Sequence, residues 1–100
     1  MMRLSKAKFE QWLKENRRKI VGRSSRAEFC PLARFIKSTE PSFDIVMVGD
    51  ENVTYRPSGQ RVRRLKLPRW ASVFVGLIDT NPRGTKISAP AALRILQESL

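Results

Sequence analysis

Residues 43–56 read F-D-I-V-M-V-G-D-E-N-V-T-Y-R, and this stretch decides the fold. Phe43 to Val48 is rich in apolar and β-branched side chains, and Val53-Thr54-Tyr55 repeats that character after the polar Gly49-Asp50-Glu51-Asn52. Two strand-forming runs around a four-residue loop predict an antiparallel hairpin over 43–56. Pro41-Ser42 breaks the chain before it, and Pro57-Ser58-Gly59 ends it. The near-continuous apolar run Ile45-Val46-Met47-Val48 predicts a strand covered on both faces, or at least central in its sheet.

Downstream, residues 60–67 (Q-R-V-R-R-L-K-L) fit neither the helical nor the strand period cleanly. They read as a third strand or an extended basic connection, and the strand is preferred. Pro68 then opens a helix with Trp70, Phe74, Leu77 and Ile78 on one face, stopped by Asn81-Pro82-Arg83-Gly84. Ser88 caps a last helix containing Ala89, Pro90, Leu93, Leu96 and Leu100. Pro90 falls in its first turn, where the missing N–H costs nothing.

Upstream, Ser5 is an N-cap, and Leu4 and Phe9 have the spacing of a hydrophobic staple. Phe9, Trp12, Leu13 and Asn16 follow i, i+3, i+4, i+7, Ile20 continues that face, and Gly22 is placed to end it. The first helix is therefore expected over 5–20, with Glu10 and Lys14 as an i,i+4 ion pair. Ser25 and Glu28 have capping-box spacing, but Pro31 would break a helix begun there. A short turn at 25–29 and a helix from Pro31 to about Lys37 satisfy both, with Pro31 at the first helical position. The order is helix, helix, hairpin or three strands, helix, helix. That is α+β: a small antiparallel sheet packed by about four helices. At 100 residues the chain is expected to be a single domain over 1–100, and no repeat, low-complexity tract or linker divides it. Phe9, Trp12, Leu13, Phe35, Ile45, Met47, Phe74, Leu77, Leu93 and Leu96 are the expected core.

The composition excludes much chemistry. There is no histidine, which removes the commonest general acid–base group and the usual partner of a Ser or Cys nucleophile. Cys30 is the only cysteine, so no intrachain disulfide or Cys/His zinc site can be built. A lone thiol in the apolar setting Phe29-Cys30-Pro31-Leu32 reads as buried and structural, and a reducing, cytoplasmic compartment is expected. No apolar run approaches the roughly 18 residues of a membrane span, and no signal-peptide pattern opens the sequence. Asp50-Glu51-Asn52 lacks the ligand spacing of a calcium loop, and Gly49, Gly59 and Gly84 form no phosphate-binding motif. No enzyme activity, metal or cofactor is expected.

Charge supplies the positive signal. Twenty Lys and Arg stand against nine Asp and Glu, for a net +11. Residues 1–26 carry a net +7 and residues 56–69 a net +6, while the remaining sixty carry −2. The first block supplies Lys6, Lys14, Arg17, Arg18, Lys19 and Arg23, expected mainly on the outer face of the first helix, with Arg26 beyond them. The second supplies Arg56, Arg61, Arg63, Arg64, Lys66 and Arg69, with no acidic residue among its fourteen positions. Clustered Arg binds phosphate bidentately and stacks on bases, so nucleic acid, DNA or RNA, is the expected partner. The two blocks are expected to share one surface. A basic helix face or strand edge is also ordinary solvated surface that discourages edge pairing. The competing functional reading is a protein-interaction module, an inhibitor or adaptor docking on an acidic or nucleic-acid-binding groove of a larger enzyme. The last two helices resemble a helix-turn-helix only loosely: their link is long, and the final helix is poor in base-reading side chains. Trp12 and Trp70 fall on apolar helix faces and are expected in the core.

Overall fold

In the computed structural model, which describes residues 4–98, the 43–56 stretch forms the expected hairpin. Its elements, in chain order, are α1 (Lys6–Glu15), β1 (Ile20–Arg23), α2 (Pro31–Thr39), β2 (Phe43–Val48), β3 (Asn52–Pro57), β4 (Arg63–Lys66), α3 (Arg69–Ile78), β5 (Lys86–Ser88) and α4 (Ala89–Glu98). The Gly49 N–H donates to the Asn52 carbonyl at 2.8 Å and closes the hairpin turn. The 60–67 segment supplies the third strand: Arg63–Lys66 pairs antiparallel with β3, giving the order β2-β3-β4. A second, two-stranded antiparallel sheet joins β1 to β5. The fold is α+β.

Sheet order corrects the reading of Ile45–Val48. β3 is the central strand and β2 lies at the edge. A bulge between Phe43 and Ile45 shifts the pleat by one residue, so Phe43, Val46 and Val48 face the core. Ile45 and Met47 turn to the other face, where Ile45 is half-buried and Met47 is 39% exposed. Neither belongs to the core assigned to it from sequence.

The first helix is also shorter than its periodicity implied. Ser5 Oγ accepts from the Lys8 N–H at the start, as expected of an N-cap. The helix stops at Glu15 because Asn16 takes over its end: its N–H donates to the carbonyls of Trp12 and Leu13, and its Nδ2 to that of Trp12 at 2.8 Å. The chain turns there, and Ile20, 46% exposed, lies on β1 instead of extending the helical face. Gly22 does not end a helix. It sits buried in β1, where a Cβ would meet the Phe29 carbonyl oxygen at 2.4 Å and Pro31 N at 2.6 Å. Ser25, at φ 53°, is not a helix cap, whereas Pro31 opens α2 as expected.

Four of the expected core side chains surround a fifth. The Phe9 ring lies 5.1 Å from Phe35 and from Phe74, the latter edge-on at 87°, and 6.2 Å from Trp12 and Trp70. Both tryptophans pack against the core while partly buried, as does Leu93. Leu13 and Leu96 are buried with them, but Leu77 is only half-buried, because α3 turns Ala71, Phe74, Val75 and Ile78 inward. On α4 the Ser88 Oγ accepts from the Ala91 N–H at 3.3 Å, the expected cap, and Ala89, Ala92 and Leu96 are buried. Leu100, expected on the same stripe, lies outside the described residues. Buried Ser24 ties the 82–85 loop to the end of β1: its Oγ donates to the Pro82 carbonyl at 2.5 Å and accepts from the Thr85 N–H at 3.1 Å.

Candidate functional site

The turn between β1 and α2 links the two sheets. The Cys30 N–H donates to the Arg26 carbonyl at 2.8 Å, closing the turn. The Arg23 N–H donates to the Phe29 carbonyl at 2.7 Å, and the Val48 N–H donates to the Ala27 carbonyl at 2.9 Å. Its backbone is thus fixed to β1 on one side and to the outer edge of β2 on the other. The Phe29 side chain is left outside, 52% exposed.

Three cations from three elements share a depression with Phe29. Arg23 on β1, Arg34 on α2 and Lys86 on β5 line a depression of about 240 Å³ with Phe29, Ile20 and Gly22. Arg23 and Lys86 are cross-strand partners. Arg34 is held at the rim by donating from Nη1 to the Ile20 carbonyl at 3.2 Å. Among the described residues, no carboxylate lines this depression. Phe29 and Arg34 also border a larger one of about 450 Å³, which reaches Lys37 and Ile45 and carries the acidic Glu28 and Asp44.

The second basic block divides by strand register, since residues paired across strands share a face. Arg64 pairs with Thr54 and Lys66 with Asn52, which puts both on the outer face with Met47. Arg63 pairs with buried Tyr55, so it points to the opposite face, and its Nη2 donates to Gln60 Oε1 at 2.9 Å. Arg61 and Arg69 are exposed on either side of β4. Arg56 is partly spent: its Nη2 lies 3.3 Å from Asp44 Oδ2, and its Nε is buried without a hydrogen-bond partner.

The first block is likewise dispersed. Lys6 and Lys14 ride on α1, and Lys14 forms the expected pair with Glu10 at 3.5 Å. Arg17, Arg18 and Lys19 are exposed in the turn after α1, not on a helix face, and Arg23 is on β1. Only part of the two blocks is therefore joined by shared neighbours. The path runs from Arg23 through Phe29 and Arg34 to Ile45, and from Ile45 and Met47 across the outer sheet face to Arg64 and Lys66.

Sequence reasoning missed Phe29, Arg34 and Lys86. Arg34 and Lys86 lie in the sixty residues whose overall charge is −2, so block counting passed over them. The signal available was Gly22 in a β-branched setting, which marks a close backbone approach. Cys30 is 3% exposed, and burial pushes its thiol up from an ordinary 9.0 to about 11. Backbone hydrogen bonds at Leu32 and Ala33 oppose that rise, and the Asp79 carboxylate adds to it. Asp50 and Glu51 form a hairpin turn, and among the described residues no group of three or more acidic or thiol side chains is placed to hold a metal. β5 separates α3 from α4, so the C-terminal helices are not a helix-turn-helix.

Fold and surface together define a small basic α+β protein that exposes Met47, Arg64 and Lys66 on the outer face of its three-stranded sheet, and Phe29 in a depression shared with Arg23, Arg34 and Lys86. Among the described residues no helix is long and apolar enough to cross a membrane. No family model, curated protein or solved structure matches the chain.

Proposed function

We propose that this chain is a small, non-catalytic nucleic-acid-binding accessory or regulatory protein that holds its partner chiefly through phosphate contacts. The observation that carries the reading is the net +11, much of it on exposed side chains, of which Arg23, Arg34, Arg64 and Lys66 lie along one path that also passes Glu28, Asp44, Asp50 and Glu51. Neutralising phosphates and releasing their counterions would supply most of the affinity, with little base-specific readout. The absence of histidine and the buried, hard-to-ionise Cys30 thiol support a non-catalytic role. A free thiol also fits a reducing, cytoplasmic setting.

The test is the salt dependence of binding in an Arg64→Ala/Lys66→Ala variant. These two side chains share one face, whereas Arg63 and Arg64 do not. Removing two phosphate contacts should weaken binding to every duplex by a similar factor and lower the slope of log K against log[salt] by about 1.8. A loss that depends strongly on base sequence would mean that these side chains read a groove. An unchanged slope would remove this face from the phosphate path.

A second reading, an inhibitor or adaptor docking on a larger enzyme, is favoured by the apolar Met47 and Val62, which are 39% and 55% exposed. It requires a stoichiometric protein partner that stays bound after nuclease treatment.

A further inference from the structure

We propose that Phe29 and the cations that share its depression form a base-stacking subsite for single-stranded nucleic acid. This rests on the nucleic-acid reading above and narrows its partner to an unpaired strand.

Phe29 and Ile20 are two exposed apolar side chains that line one depression together with cations. Phe29 is 52% exposed, yet its N–H donates to the Arg26 carbonyl at 3.0 Å and its carbonyl accepts from Arg23 at 2.7 Å. The ring is therefore presented from a rigid support, which lowers the entropy lost when a partner settles on it. Arg23, Arg34 and Lys86 line the same depression, with no carboxylate among the described residues that line it, so an anion there relieves their mutual repulsion. Arg34 uses Nη1 on the Ile20 carbonyl and keeps its other N–H donors for phosphate.

An aromatic face beside a cluster of cations matches a base with its flanking phosphates. Bases in a duplex are already stacked on one another, and a side chain reaches their faces only by unstacking a step, at a cost of a few kcal/mol. In a single strand each face is open, and aromatic stacking there tolerates any sequence. Exposed Ile20, at the edge of the same depression, widens the apolar floor.

The experiment is fluorescence anisotropy with end-labelled oligo-dT, oligo-U and a duplex of mixed sequence, at about 50 mM salt. Phe29→Ala should weaken single-strand binding by roughly 5- to 150-fold, the equivalent of one lost stack, and leave duplex binding unchanged. Phe29→Trp should keep the single-strand affinity, because any aromatic face serves. Loss in the dT arm, the U arm or both identifies the strand as DNA, RNA or either. Unchanged melting of Phe29→Ala establishes that the fold is intact. If the wild type shows salt-dependent binding that Phe29→Ala leaves untouched, the stacking subsite is refuted while the phosphate reading stands. If the wild type binds none of the three, both fail.

Discussion

Replacing Gly22 by Ala should destabilise the protein severely, and the structure sets the scale. The added Cβ would stand 2.4 Å from the Phe29 carbonyl oxygen, 2.6 Å from Pro31 N and 2.7 Å from Pro31 Cδ. These atoms are backbone or proline ring, so no rotamer change relieves the contact. The chain must part at this point, which stretches the 2.7 Å bond from the Arg23 N–H to the Phe29 carbonyl and lifts the first turn of α2. Overpacking costs about 1–3 kcal/mol, and a weakened internal hydrogen bond about 1 kcal/mol more. A loss of about 2–4 kcal/mol corresponds to roughly 10–30 °C in Tm for a domain of this size. Gly76→Ala is the control. Gly76 is exposed in the middle of α3 with nothing within 4 Å of its would-be Cβ, so Ala there should stabilise by about 0.8–1 kcal/mol. Thermal melts followed by circular dichroism separate the two. A Gly22→Ala protein melting within about 2 °C of wild type would refute the close approach, and with it the rigid support assigned to Phe29.

Phe74→Ala should cost about 3–5 kcal/mol, because Phe74 is fully buried and edge-on to Phe9 at the centre of the aromatic cluster; a chemical denaturation curve checks this. Cys30 gives a pH signature. Its thiol is raised in the folded chain, so its contribution is complete below about pH 9 and falls as the pH climbs through about 11, by about 3 kcal/mol at most. Subtracting the pH–stability curve of Cys30→Ala from that of wild type isolates this step, and thiol reagents should label the native protein slowly at neutral pH.

The parts legible in the sequence are those with local chemistry of their own. The hairpin announced itself by Gly49–Asn52 between two apolar runs, α2 by Pro31 at its first position, and α4 by Ser88. β1 and β5 were invisible because four and three residues are too short for a period, and each is a strand only through the other. The helical stripe running through Ile20 was overridden by Asn16, whose side chain satisfies the end of α1. Met47 was misplaced by the bulge after Phe43, a tertiary accommodation that inverts the faces of everything beyond it. The candidate site was half legible. Arg23, Arg64 and Lys66 followed from charge blocks, but Arg34, Lys86 and Phe29 are neighbours only because β1 pairs with β5 and receives the 26–30 turn.

The most direct measurement is the affinity of the wild-type protein for a labelled single-stranded oligonucleotide across about 50–200 mM salt. Phosphate binding by the exposed cations requires log K to fall linearly with log[salt], at about 0.7 per phosphate neutralised on a single strand. Binding that is absent at about 50 mM salt, or present but flat across the range, would contradict it.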